Sequence, residues 1–169
     1  MVGAHAFADW WTRFGQTHPE WFAQMPDGRR GIDPRQRSSQ TASHAIAMCV
    51  SNEALRRQLV EDWQESGQRT LNAGENDVNG RCTCLACLAL DQCDQSPEVR
   101  LAEARQAFAA SEEDSRWRGW PLVLGSLSDR YAQFWLQVQQ DARRVRPDAV
   151  VVGCAYANWV EPPRRTKLN

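Results

Sequence analysis

No run of about 18 apolar residues occurs anywhere in the chain, which excludes a membrane-spanning helix. The opening stretch, MVGAHAFADWW, has no basic segment leading into an apolar one, so it does not read as a signal peptide. Neither sign of charge dominates: the net charge is −1, which gives no electrostatic reason to expect nucleic acid or an anionic membrane surface as a partner. No internal repeat or low-complexity segment is present, which sets aside solenoids and disordered arrays. What is present is enough apolar material for a core: 42% of 169 residues, consistent with one domain or a piece of a larger one. Tryptophan is abundant, with eight copies. Core packing is the plain use of such residues. Stacking against sugar rings is the sharper one, because indole combines a large apolar face with one polar handle.

Taken in order, the chain alternates strand and helix patterns. Residues 2–7 look like the last residues of a strand. A short helix is expected over 8–16, with Trp10, Trp11 and Phe14 on its apolar side. His18 precedes Pro19, which restricts it to an extended conformation and gives it a structural character. The polar, aperiodic stretch from Arg29 to Ser43 reads as a long surface loop. Residues 45–50, AIAMCV, form a continuous apolar run of the kind found in a strand buried on both faces. Ser51 or Asn52 then caps a helix carrying Leu55, Leu59 and Trp63 on one face and stopping at Gly67.

A weaker strand is expected at 69–74, followed by the Glu75-Asn76-Asp77 turn. Ser96-Pro97-Glu98 starts another helix, with Leu101, Ala104 and Phe108 at helical spacing. Residues 111–120 read as a surface crossing. Ser126 to Asp129 fits a capping box. The strongest amphipathic pattern in the chain follows, through Leu127, Tyr131, Phe134, Val138, Ala142 and Val145. Pro147 ends it, and residues 149–156 form a further buried strand.

β-branched strands separated by amphipathic helices imply parallel βαβ units. The expected fold is therefore α/β, a partial (β/α)8 TIM barrel with about four parallel strands and flanking helices, a full barrel needing about 250 residues. In such folds chemistry collects where strands end. Polar residues fall at those places: His5, Asn52, Glu75-Asn76-Asp77, and Tyr156, Asn158 and Trp159. Asp77 and Glu75 are the candidate catalytic acids; His5, Asn52, Asn76, Tyr156, Asn158 and Trp159 are candidate substrate contacts. In an extended segment Glu75 and Asp77 share a face, with Cα atoms roughly 6.5 Å apart. Two carboxylates and a carboxamide at one turn suit acid/base or sugar-binding work.

Cys82, Cys84, Cys87 and Cys93 form C-x-C-x2-C-x5-C. Overlapping CxC and CxxC spacings suit thiolate ligands of a structural zinc, a pair of disulfides, or free thiols. A thioredoxin-like redox role is disfavoured, because Cys84-Leu85-Ala86-Cys87 is not expected at the start of a helix. Cys49 and Cys154 fall inside predicted strands and read as small buried hydrophobes.

Several segments match a known family in order: His5-Ala6-Phe7, HPEWFA at 18–23, DGRRG at 27–31, MCVSN at 48–52 and END at 75–77. CTCLAC at 82–87 with Leu90-Asp91, SDRYAQFW at 128–135 and RPDAVVVGCAYANWVEPP at 146–163 complete the set. In these the chain resembles domain-of-unknown-function family 4838, which is related to glycoside hydrolases with (β/α)8 barrels, some of them in glycoside hydrolase family 163. The resemblance implies a single glycoside-hydrolase-like domain over 1–169, a segment of a larger barrel, acting on an N-acetylhexosamine-containing glycan by substrate-assisted retaining hydrolysis, in which one of Glu75 and Asp77 protonates the leaving oxygen and its neighbour orients the sugar's own N-acetyl group. The rival expectation is a non-catalytic carbohydrate-binding or zinc-stabilised module, or an inactive fragment. No cofactor is required for the chemistry. Exposed strand edges would favour self-association. The resemblance also implies a periplasmic or secreted setting for full-length relatives.

Overall fold

A computed structural model describes residues 5–32, 46–78, 81–111 and 120–168. The start of the first expected strand, most of the 29–43 loop and the 111–120 crossing lie outside the described residues. Among the described residues the fold is mixed α/β. Five α-helices are α1 (Trp10–Phe14), α2 (Glu53–Ser66), α3 (Leu85–Ala89), α4 (Pro97–Ala110) and α5 (Ser128–Val145). The strands β1 (Thr70–Asn72) and β2 (Val150–Val152) pair in parallel, Leu71 opposite Val151. Short 3₁₀ turns at Pro19–Trp21, Trp120–Leu124 and Ala157–Trp159 complete the order.

The two long helices form where the sequence places them. The Asn52 side chain accepts the Leu55 N–H at 3.1 Å and caps α2, which ends with Gly67 in the left-handed region at φ 65°. Leu55, Leu59 and Trp63 are buried on one face of it. Helix α5 buries Tyr131, Phe134, Val138 and Ala142 and packs against both α2 and β2. Val145, the last residue of its expected stripe, is exposed. The capping box does not form: Leu127 occupies the cap position without a side-chain bond. The Asp129 carboxylate instead accepts the backbone N–H groups of Arg164, Arg165 and Thr166 at 2.7–2.9 Å, binding the end of the chain to α5.

The described part of the AIAMCV run, residues 46–50, is not a strand of the parallel sheet. Met48 forms an isolated antiparallel bridge with Phe22, and the Cys49 N–H reaches Trp21 O at 2.8 Å. Burial explains the apolar composition without a ladder: residues 46–50 are all buried in the core, and the Ala23 N–H donates to Ala47 O, tying them to the 21–25 segment. The final strand is likewise short. Val150 and Val152 are exposed and Cys154 lies on the surface beyond β2, so this stretch is not buried on both faces. At Gly153 an added Cβ would come within 2.3 Å of the Trp135 ring, whose Nε1–H donates to Ala73 O.

Most of the tryptophans take the plain role. Trp10, Trp21, Trp63, Trp120 and Trp159 are buried, while Trp11 and Trp135 are half-buried. Aromatic rings interlock around Trp10, with Phe7 at 5.0 Å edge-on, Phe14 at 5.3 Å and Trp21 at 5.9 Å. His18 stacks on Trp21 at 4.1 Å, the structural part expected of it.

One ion-pair cluster lies fully inside. Asp91 accepts from Arg100 Nη1 at 2.6 Å and from Arg130 through Nε and Nη2 at 2.7 and 2.5 Å. Arg100 also donates to Leu88 O and Leu124 O, and Arg130 to Cys82 O. Two guanidiniums sharing one carboxylate thus join α3, α4 and α5. The Asp91 charge holds Arg130 protonated against the cost of its burial.

Candidate functional site

Parallel pairing puts the C-terminal ends of β1 and β2 side by side. The ladder runs on past β1, with the Ala73 N–H donating to Val152 O at 2.8 Å. Residues 73–78 and 153–161 therefore leave the sheet at one end. Between them and the 121–126 segment lies a pocket of about 820 Å³. Asp77, Arg81, Tyr156, Asn158, Glu161 and Arg164 give its wall polar groups, and Leu122 and Val160 give it apolar ones.

Glu75 lies beneath this wall rather than on it. It is buried, and its Oε2 accepts from Tyr131 OH at 3.1 Å and Met48 N–H at 3.3 Å, while Oε1 accepts its neighbour's N–H at 3.0 Å. Burial raises the Glu75 carboxyl above its ordinary range, although the nearby Arg81 charge and these donors pull the other way. Burial also raises Tyr131. Asn76 is wholly buried: its Nδ2 donates to Ile46 O at 2.9 Å and Phe7 O at 3.2 Å, and its Oδ1 has no partner among the described residues. The Tyr156 hydroxyl donates to Asn76 O at 3.0 Å, and His5 Nδ1–H to Glu75 O at 3.0 Å. His5, Glu75, Asn76, Asp77 and Tyr156 therefore meet at one place.

The remaining candidates make framework contacts. Asn52 is spent on its helix cap and on Glu20 O. Asn158 lines the pocket, but its Nδ2 ties Pro121 O and Gly125 O. Trp159 is buried, stacked on Tyr131 at 4.2 Å, with the Arg81 guanidinium over its ring at 4.4 Å. Glu161, Arg164 and Arg81 were not singled out from the sequence. The first two lie in the polar stretch after Trp159, where spacing alone carries no signal of a cavity.

A second site lies close by. The Sγ atoms of Cys49, Cys82, Cys84 and Cys87 all lie within 4.8 Å of one another. Cys49 replaces Cys93 in the expected set; Cys93 is exposed and turned toward Gln95. Contrary to the sequence expectation, Cys84 caps a helix, α3, and its Sγ accepts the Cys87 N–H at 3.4 Å. Cys82 Sγ accepts the Gln24 N–H at 3.3 Å, and the Ser51 hydroxyl stands 3.1 Å from Cys87 and 3.5 Å from Cys49. Hydrogen bonds inside the cluster, from Cys49 first, favour the Cys84 thiolate, whereas burial holds Cys82 as a thiol. None of the six cysteines is in a disulfide in this structure. Four sulfurs gathered in one buried place have the composition of a soft-metal site.

The model of one family, Domain of unknown function (DUF4838), matches residues 1–169. No curated protein and no solved structure matches the chain.

Proposed function

The chain belongs to the DUF4838 family, and we propose that it forms part of a glycoside-hydrolase-like domain whose pocket takes an N-acetylhexosamine-containing glycan. The observation that carries this reading is the pocket at the C-terminal ends of a parallel strand pair, the usual place for chemistry in barrel and open-sheet α/β folds. The β1–helices–β2 arrangement is compatible with a portion of a (β/α)8 barrel. The exposed Val150 and Val152 would then meet a further strand or a second copy of the chain.

Asp77 is the pocket acid expected from the sequence, and Glu161 reaches the same cavity from the other strand end. Two carboxylates from different segments are better placed to bracket a glycosidic bond than two from one turn. In this scheme one protonates the leaving oxygen and the other orients the N-acetyl group. Glu75, enclosed and triply hydrogen-bonded, holds the turn and the Tyr131 hydroxyl in place. Tyr156 and the apolar wall offer a surface to the sugar ring. The four-cysteine cluster serves as a structural zinc site beside this pocket, and no cofactor takes part in the reaction.

Titration calorimetry of the chain with N-acetylglucosamine oligosaccharides tests the binding half of the proposal. Saturable binding that weakens at least tenfold in Asp77→Asn is the expected result. Absence of saturable binding sinks the glycan assignment. Release of reducing ends by the wild type, lost in both Asp77→Asn and Glu161→Gln, marks an enzyme. Binding without release marks a carbohydrate-binding module.

A further inference from the structure

Cys49 stands far from the CxCxxC motif in sequence yet completes its sulfur cage. The distances decide what such a cage can hold. Cys49 Sγ lies 3.6 Å from Cys84 Sγ and 3.9 Å from Cys87 Sγ. A zinc ion bound by four thiolates at about 2.3 Å in a tetrahedron requires sulfurs about 3.8 Å apart. These two edges fit that length, and all four sulfurs lie within 4.8 Å of one another. The spacing is well beyond the roughly 2.05 Å of a disulfide. It is also tight for a polynuclear iron–sulfur cluster, whose bridging sulfides spread the thiolates outward.

The surroundings suit the charge of such a centre. Four thiolates around Zn²⁺ carry two net negative charges. Arg30 interacts with Cys49 and Cys82, and Arg130 lies beside Cys87. The Gln24 and Cys87 N–H groups aimed at sulfur supply the backbone hydrogen bonds that orient metal-bound thiolates.

The same segment that brings Cys49 to the cage also supports the pocket. Met48 N–H donates to Glu75 Oε2 and Ile46 O accepts from Asn76 Nδ2, so residues 46–49 touch the cage at one end and the Glu75-Asn76 turn at the other. We propose that Cys49, Cys82, Cys84 and Cys87 bind one Zn²⁺ as a tetrathiolate centre, and that this ion fixes the 46–49 segment on which the Glu75-Asn76 turn rests. This deepens the structural-zinc assignment above and depends on it, but does not depend on the glycan.

Metal analysis of the chain as purified, with replacement of the ion by Co²⁺, tests the centre. One zinc per chain and the intense sulfur-to-cobalt absorption of a tetrathiolate are expected. Cys49→Ser should lower the retained metal at least tenfold, and Cys93→Ser and Cys154→Ser should leave it unchanged. Metal-free folded protein, a polynuclear iron cluster, or loss of metal in Cys93→Ser but not Cys49→Ser overturns the assignment. Because Cys49→Ser could simply misfold, hydrogen exchange of the wild type before and after chelation supplies an independent readout. Amides 46–49 and 75–77 should exchange at least tenfold faster without the metal, while α5 keeps its protection. Unchanged exchange at 75–77 overturns the coupling. Failure of sugar binding with the zinc and its protection intact refutes only the pocket assignment.

Discussion

Asp91→Asn removes the single carboxylate shared by two buried guanidiniums. Of the three charge-assisted hydrogen bonds, at 2.5–2.7 Å, at least one is lost because the amide nitrogen cannot accept, and the rest lose the carboxylate charge. Both arginines keep carbonyl partners, Leu88 O and Leu124 O for Arg100 and Cys82 O for Arg130, but neither keeps a carboxylate counter-ion in this network. Breaking a buried pair by removing one partner costs about 3–5 kcal/mol. The retained carbonyl bonds argue for the lower half of that range, about 3–4 kcal/mol. At about 2–4 °C per kcal/mol for a chain of this size, Tm should fall by roughly 6–16 °C. The matched control is Asp62→Asn, which breaks the Arg13–Asp62 pair at the surface and should cost at most about 1 kcal/mol. Urea unfolding of both variants, followed by circular dichroism and extrapolated to water, makes the comparison. Losses equal within about 0.5 kcal/mol would show that the interior network contributes no more than an exposed pair, and the reasoning would be wrong.

Glu75 predicts a pH dependence of definite sign. Its folded carboxyl is raised, so its contribution is fully present below the ordinary carboxylate range near 4.3 and is lost as pH rises through the folded value. Unfolding free energy measured against pH should decline over that window in the wild type and less so in Glu75→Gln; identical slopes would count against it. Asn52→Ala should cost about 1 kcal/mol in urea unfolding through loss of the α2 cap, with sugar binding unchanged; a selective loss of binding would make Asn52 a ligand contact.

How far the sequence reveals this fold depends on whether a signal is local. Helices α2 and α5 were legible because their apolar faces repeat at helical spacing over two or more turns. The stop at Gly67 is a backbone requirement readable from the residue itself. Helix α3 escaped because five residues hold little more than one turn, and its cap is a cysteine. The AIAMCV run misled because continuous apolar sequence records burial and not pairing partner. Asp129 misled because the donors that claim its carboxylate lie some 35 residues downstream. At the site, the Glu75-Asn76-Asp77 turn was visible as a concentration of polar groups, but their division into two buried members and one pocket-lining member was not. Cys49 became a cage member only through the bridge that sets Met48 against Phe22, a tertiary event without trace in cysteine spacing.

The grip of Asp129 on the terminal segment has an evolutionary corollary. At Arg164 and Arg165 it holds main-chain N–H groups, which every residue except proline possesses. The side chain at 164, which forms part of the cavity rim, is thus uncommitted by the contact that anchors its backbone. Selection can exchange that side chain for one of another size or charge while the tail stays threaded in place. The rim of the cavity is consequently a place where ligand preference can drift without endangering the scaffold, provided that no proline enters at 164, 165 or 166.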